Sequence, residues 1–196
     1  QRLRKRLSAQ AAALCVPEPM LAAFHPLMQI STLALFDGRR DGFDAGFGQE
    51  IALAALAHAQ GREIVALEKV GEQMAALVPA DAALAARLSE QGLGQLERGE
   101  ARGSLRALAE VWERGDLARL ASYEQWCDCV GSADERRWLR GMNDGRNPQL
   151  ARRIAALHAA GRPVLVAVGA LHMTGPQALP LLLQRAGFQV ERVVPR

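Results

Sequence analysis

Residues 161–175 read Gly161-Arg162-Pro163-Val164-Leu165-Val166-Ala167-Val168-Gly169-Ala170-Leu171-His172-Met173-Thr174-Gly175, and the chain closes through Gly187-Phe188-Gln189-Val190 to Val194. Val164 to Val168 is an unbroken apolar run rich in β-branched side chains, bounded by Gly and Pro. This is the pattern of a strand covered on both faces. Gly175-Pro176 then predicts a helix that Gly187 ends, and residues 188–194 predict a second strand. Strand, helix and strand in that order form a βαβ unit with parallel strands and a right-handed crossover. A third run, Glu63-Ile64-Val65-Ala66-Leu67, follows Gly61 and stops at Glu68. The reading is therefore an α/β fold, helix-rich, with a small, mainly parallel sheet (strands near 63–68, 163–169 and 188–194) covered by helices.

Working outward, the rest of the chain is helical in period. Apolar residues recur at three- and four-residue spacing over 3–14, 20–35 and 47–59, with Pro17, Pro19 and Pro26 as punctuation and a polar loop at 37–42. From Gly71 to Val130 several helices are expected, with Pro79-Ala80-Asp81 as a start and glycines 92, 94, 99, 103 and 115 as breaks. Asp116 reads as a cap. Residues 134–139 and 148–158 predict two more helices, the second with Asn147 as N-cap and Pro148 in its first position.

Composition narrows the classes. The 196 residues carry 24 Lys and Arg against 21 Asp and Glu, a formal +3, and no apolar stretch reaches the 18 residues of a membrane span. The one dense basic run, Arg2, Arg4, Lys5 and Arg6, has no aromatic residue among it. It predicts a solvated helix start with Leu3 and Leu7 facing inward, and no nucleic-acid face. Three cysteines exclude a disulfide framework, and Cys127 and Cys129, two apart, read as unbridged structural residues without the second ligand pair of a zinc site. No GxxxxGK[ST], GxGxxG after a strand, GxSxG or HExxH is present, which removes the common nucleotide-binding and serine-hydrolase readings.

In open α/β sheets ligands sit beyond the carboxyl ends of the strands. Glu68 ends one predicted strand, and Gly169-Ala170-Leu171-His172 follows another, with the glycine allowing a close turn. Neighbouring strands would bring Glu68 and His172 together. A carboxylate and an imidazole supply either a divalent-metal site or a general acid/base pair. Arg146, just before a helix, is suited to holding a carboxylate or phosphate. Asn147 reads as a simple cap, and Gln73 as a side chain that orients the site or faces solvent.

Three blocks carry a family resemblance. Gly61 to Met74, with Leu67-Glu68 and Glu72-Gln73 within it, then Arg146-Asn147 ahead of a helix, and Val166 to Gly175 with Gly187 to Val190 behind it, resemble in order and spacing the TraB/GumN superfamily, which includes the Tiki branch. The resemblance implies a metal-dependent hydrolase of peptidase type. By position, His172 would be a metal ligand or catalytic residue, Glu68 a metal ligand and catalytic carboxylate, Arg146 a catalytic residue, and Asn147 and Gln73 substrate contacts. The ion would be manganese, cobalt or zinc, and the substrate a peptide or small molecule. The alternative that the superfamily implies is a non-catalytic regulatory protein binding a peptide or cofactor. The same resemblance suggests an exported or periplasmic bacterial protein.

The family pattern opens with a further GxxH motif on an N-terminal strand, and no such block precedes Gln1-Arg2-Leu3. The expectation is a single domain over 1–196, incomplete at its N-terminus, with 71–145 as a helical insertion. Metal binding and activity would then be impaired in this chain. An exposed sheet edge would favour a homo-oligomer.

Overall fold

The computed structural model describes residues 1–127, 129–161 and 163–193. Its first half is built from helices α1 (Arg2–Ala13), α2 (Glu18–Leu21), α3 (Pro26–Gly38), α4 (Gln49–Ala59), α5 (Val70–Leu77) and α6 (Ala82–Glu97). The second half continues with α7 (Glu100–Glu113), α8 (Leu117–Ala121), α9 (Tyr123–Trp126), α10 (Ala133–Met142), α11 (Asn147–Ala159) and α12 (Leu179–Arg185).

Helix periodicity builds the main core. Leu7 and Ala11 of α1, Ile30 and Leu33 of α3, and Leu93 and Leu96 of α6 bury one shared stripe, closed at its end by Val16 and Leu21. Leu3 packs beside it, as its place in α1 predicts. Around Leu27, Ala85 and Leu88 the stripe continues to Trp138 of α10. Glycine 92, read as a break, lies inside α6: a Cβ there would stand 3.3 Å from Ile30 Cγ2, so the missing side chain is what lets α3 and α6 approach. That contact offsets the 0.5–1 kcal/mol or so that glycine costs a helix.

The predicted sheet does not form. Among the described residues there is no strand, and the fold is mainly helical. Residues 63–68, 163–169 and 188–193 carry no regular secondary structure, with a bend at Leu67 and Glu68 and no backbone hydrogen bond between the runs among the described residues; Val194 lies outside the described residues. A continuous apolar run reads as a doubly covered strand only if both faces meet partners. Here one face does. Leu67, Val166 and Val168 pack on Leu150, Ala151 and Ile154 of α11 and Leu179 of α12. The other face is open, with Leu165 83% and Val193 84% exposed. The runs at 63–68 and 163–169 thus share a helix layer without a ladder. Among the described residues no helix is long and apolar enough to cross a membrane.

A second correction concerns the cysteines. Cys127 and Cys129 are joined by a disulfide, with Cα atoms 5.0 Å apart, inside the ordinary range for a bridge. Cys15 is free and exposed.

Candidate functional site

The site is organised by α11. Its buried stripe is Asn147, Leu150, Ala151 and Ile154, at i, i+3, i+4 and i+7, so an amide begins a row of apolar positions and is carried into the core with them. Asn147 is completely buried. A neighbouring face carries Arg146, Gln149 and Arg153, at i, i+3 and i+7, and looks onto the segment holding Glu68 and Glu72.

Two carboxylates four residues apart meet that face. Arg146 donates from Nε to Glu68 Oε1 at 2.9 Å and from Nη2 to Glu68 Oε2, a bidentate pair in which both side chains are mostly buried, and from Nη1 to Met142 O at 3.2 Å. Two turns on, Arg153 donates from Nη1 to Glu72 Oε2 at 2.9 Å and from Nη2 to Oε1 at 3.0 Å, while Gln149 Nε2 donates to Oε1 at 3.3 Å. Arg153 also donates to the Leu67 carbonyl, and the Lys69 N–H closes the start of α5 on Glu72 at 3.0 Å. The guanidiniums hold both carboxyls below the ordinary range, Glu68 through Arg146 and Glu72 through Arg153, the latter to about 2.

His172 sits in a single 3₁₀ turn over Ala170–Met173, its N–H bonded to the Gly169 carbonyl at 3.0 Å. Gly169 has φ −57°, so this turn does not use glycine's left-handed freedom. The imidazole is buried against Asn147, with Nδ1 2.6 Å from Asn147 Oδ1. Asn147 Nδ2 donates to the carbonyls of His172 at 3.2 Å and Gln177 at 2.8 Å. Those two carbonyls accept only, so they demand the NH₂ side of the amide and turn Oδ1 to the ring. Nδ1 must therefore carry the proton, and Nε2 keeps its lone pair. Burial pushes the His172 pKa below its ordinary value; the Arg146 charge acts in the same direction, and Glu68 opposes it.

Of the residues singled out in the sequence, Glu68, Arg146, Asn147 and His172 are thus assembled at one place. Asn147 stands behind the imidazole with its amide saturated. Gln73 is exposed on α5, and its side chain makes no hydrogen bond among the described residues. Sequence reasoning passed over Glu72, Gln149, Arg153 and Gln177. Gln149 and Arg153 were legible as a Gln and an Arg at i and i+4 on one face of α11, and Glu72 as an acid in the first turn of α5. Gln177 contributes a backbone carbonyl and left no mark in the sequence.

A model of the TraB/PrgY/gumN family matches residues 1–192. The chain belongs to the TraB/PrgY/gumN family. No curated protein and no solved structure matches it.

The divalent ion that the TraB/GumN resemblance implies can be weighed against this donor set. His172 Nε2 is an available lone pair. Both Glu68 oxygens already accept from Arg146, and among the described residues no three of His, Cys, Asp or Glu are grouped to hold a metal ion. Catalytic zinc sites draw on three protein ligands. The donors grouped here do not meet that requirement.

Proposed function

We propose that this family member carries a hydrolytic site for a peptide or other carbonyl substrate, with His172 as general base. The observation that supports it most is the neutral imidazole fixed by Asn147, with Nε2 left to accept a proton from water. A buried base whose pKa lies below its ordinary value is ready as a proton acceptor at neutral pH. Arg146 has five N–H donors and spends three on Glu68 and Met142. The remaining two are suited to an oxygen that gains negative charge as the carbonyl is attacked. Glu68 fixes the guanidinium and does not touch the reacting atoms in this reading.

Incubation of the chain with a mixed peptide pool, read by mass spectrometry, tests the proposal. Cleavage is expected, with His172→Ala slower by about 10² or more, the range in which general-base removal falls. Cleavage undiminished in His172→Ala would overturn the role of the imidazole.

A second reading, a non-catalytic regulatory protein binding a peptide or cofactor, is favoured by a different observation. Glu68 is already neutralised by Arg146, and the runs that lead to Glu68 and His172 expose Ile64, Val65 and Leu165. Retained peptide with no cleavage product in the same experiment selects this reading.

A further inference from the structure

The Cys127–Cys129 disulfide closes a loop across one intervening residue. The entropy that a cross-link removes from the unfolded chain grows with the loop it closes, so a bridge this short contributes least of all as a staple. The turn around it is also held without it. The Cys127 N–H bonds to the Tyr123 carbonyl at 2.9 Å, ending α9, and the Val130 N–H to the Cys127 carbonyl at 3.2 Å. On the far side the buried Glu135 carboxylate accepts from the N–H groups of Gly131 and Ser132 at 2.7 and 2.8 Å, and Ser132 Oγ accepts from the Glu135 N–H at 3.1 Å. Both ends of the segment are anchored by bonds that survive reduction.

Position gives the pair a reach beyond its own turn. Cys127 is buried and Cys129 half-buried, in a cluster with Tyr123, Val130, Leu139 and Leu171. Leu171 precedes His172 in the same 3₁₀ turn. Reduction replaces one S–S bond by two thiols in van der Waals contact, so the sulfurs must move apart, and a close-packed cluster passes such a change to its neighbours.

We propose that Cys127–Cys129 is an exchange-active redox pair, taking a small thiol or dithiol as its partner, whose state repositions Leu171 and with it His172. The partner's thiolate attacks the half-buried Cys129 sulfur and displaces Cys127 as thiolate. A second partner thiol resolves the mixed disulfide. In sum two partner thiols are oxidised to one disulfide, and their two protons end on Cys127 and Cys129, now thiols. This inference does not depend on the hydrolytic reading, because neither the exchange nor the movement of the imidazole requires turnover.

The folded full chain, incubated in reduced and oxidised glutathione buffers, alkylated and mapped by mass spectrometry, tests the exchange. Cys15 serves as the always-alkylated reference. Two further alkylations in the reduced buffer, with the far-UV circular dichroism of the native state retained, are expected. Protection of the pair until urea unfolds the chain would overturn the proposal, as would loss of the fold in Cys127→Ser/Cys129→Ser. The transmission is read separately from the His172 ring resonances by NMR. They should shift on reduction in the native chain and not in the double serine variant; resonances unmoved by reduction would overturn the link to Leu171.

Discussion

Asn147 determines which nitrogen of His172 carries the proton. Its NH₂ is committed to the carbonyls of His172 and Gln177, so its Oδ1 receives the imidazole Nδ1–H at 2.6 Å. Removing this amide leaves the buried His172 carbonyl and ring N–H and the half-buried Gln177 carbonyl without partners. Asn147→Leu should therefore destabilise the fold by about 2–4 kcal/mol, with the full desolvation of those groups as the cause. Asn147→Asp keeps an acceptor for Nδ1 and loses the donors, and should in addition raise the His172 pKa. Denaturant unfolding measures the first effect and an NMR titration the second.

The Glu68–Arg146 pair is mostly buried and bidentate, the geometry in which an ion pair counts. A double-mutant cycle with Glu68→Gln and Arg146→Met is expected to give a coupling of about 1–3 kcal/mol. A coupling near zero would make the pair no better than a surface contact. Arg146→Lys should recover only part of it, since an ammonium cannot bind both carboxylate oxygens in the same plane.

Acid should loosen the molecule in a fixed order. A histidine whose folded pKa is depressed contributes stability that is fully present above its ordinary 6.5 and is lost as pH falls from there toward the folded value. A depressed carboxylate contributes stability present above its ordinary 4.5 and lost as pH falls toward the folded value, about 2 for Glu72. The turn at His172 should open first, and the Glu72–Arg153 link between α5 and α11 should persist well below it. Hydrogen exchange at a series of pH values would show the two events apart; simultaneous loss would contradict this order.

The open flank carries a prediction about assembly. The accessible surface is 12819 Å², against about 9,100 Å² that the size law gives for a monomer of this mass. Leu165 and Val193 are among the side chains on that surplus. Self-association at micromolar concentration is expected in sedimentation velocity, weakened by Leu165→Glu. A single monomeric species would count against it.

Much of the helical frame was legible. The apolar spacing of α1, α4 and α11, the Asp81 cap of α6 and the Asp116 cap of α8 all follow from local rules. Where reading failed, the deciding contact was distant in sequence. Gly92 lies within α6 because its packing on Ile30 of α3 overrides its propensity, and Gly103 lies within α7 without a tertiary contact of that kind. The runs at 63–68 and 163–169 have the composition of strands, but a ladder needs a partner that composition does not reveal. At the site the four assembled residues were visible as types. Asn147's part was not, since it depends on the carbonyls of His172 and Gln177 and on burial that only the stripe of α11 confers.

The state of the His172 imidazole is the most direct measure of this account. Two-dimensional ¹H–¹⁵N NMR of the ring, recorded across a pH series on the native chain, reads both tautomer and pKa. The expected state is a proton on Nδ1, a bare Nε2 and a midpoint below the ordinary 6.5. A proton on Nε2 in the neutral form, or a midpoint above 6.5, would contradict it.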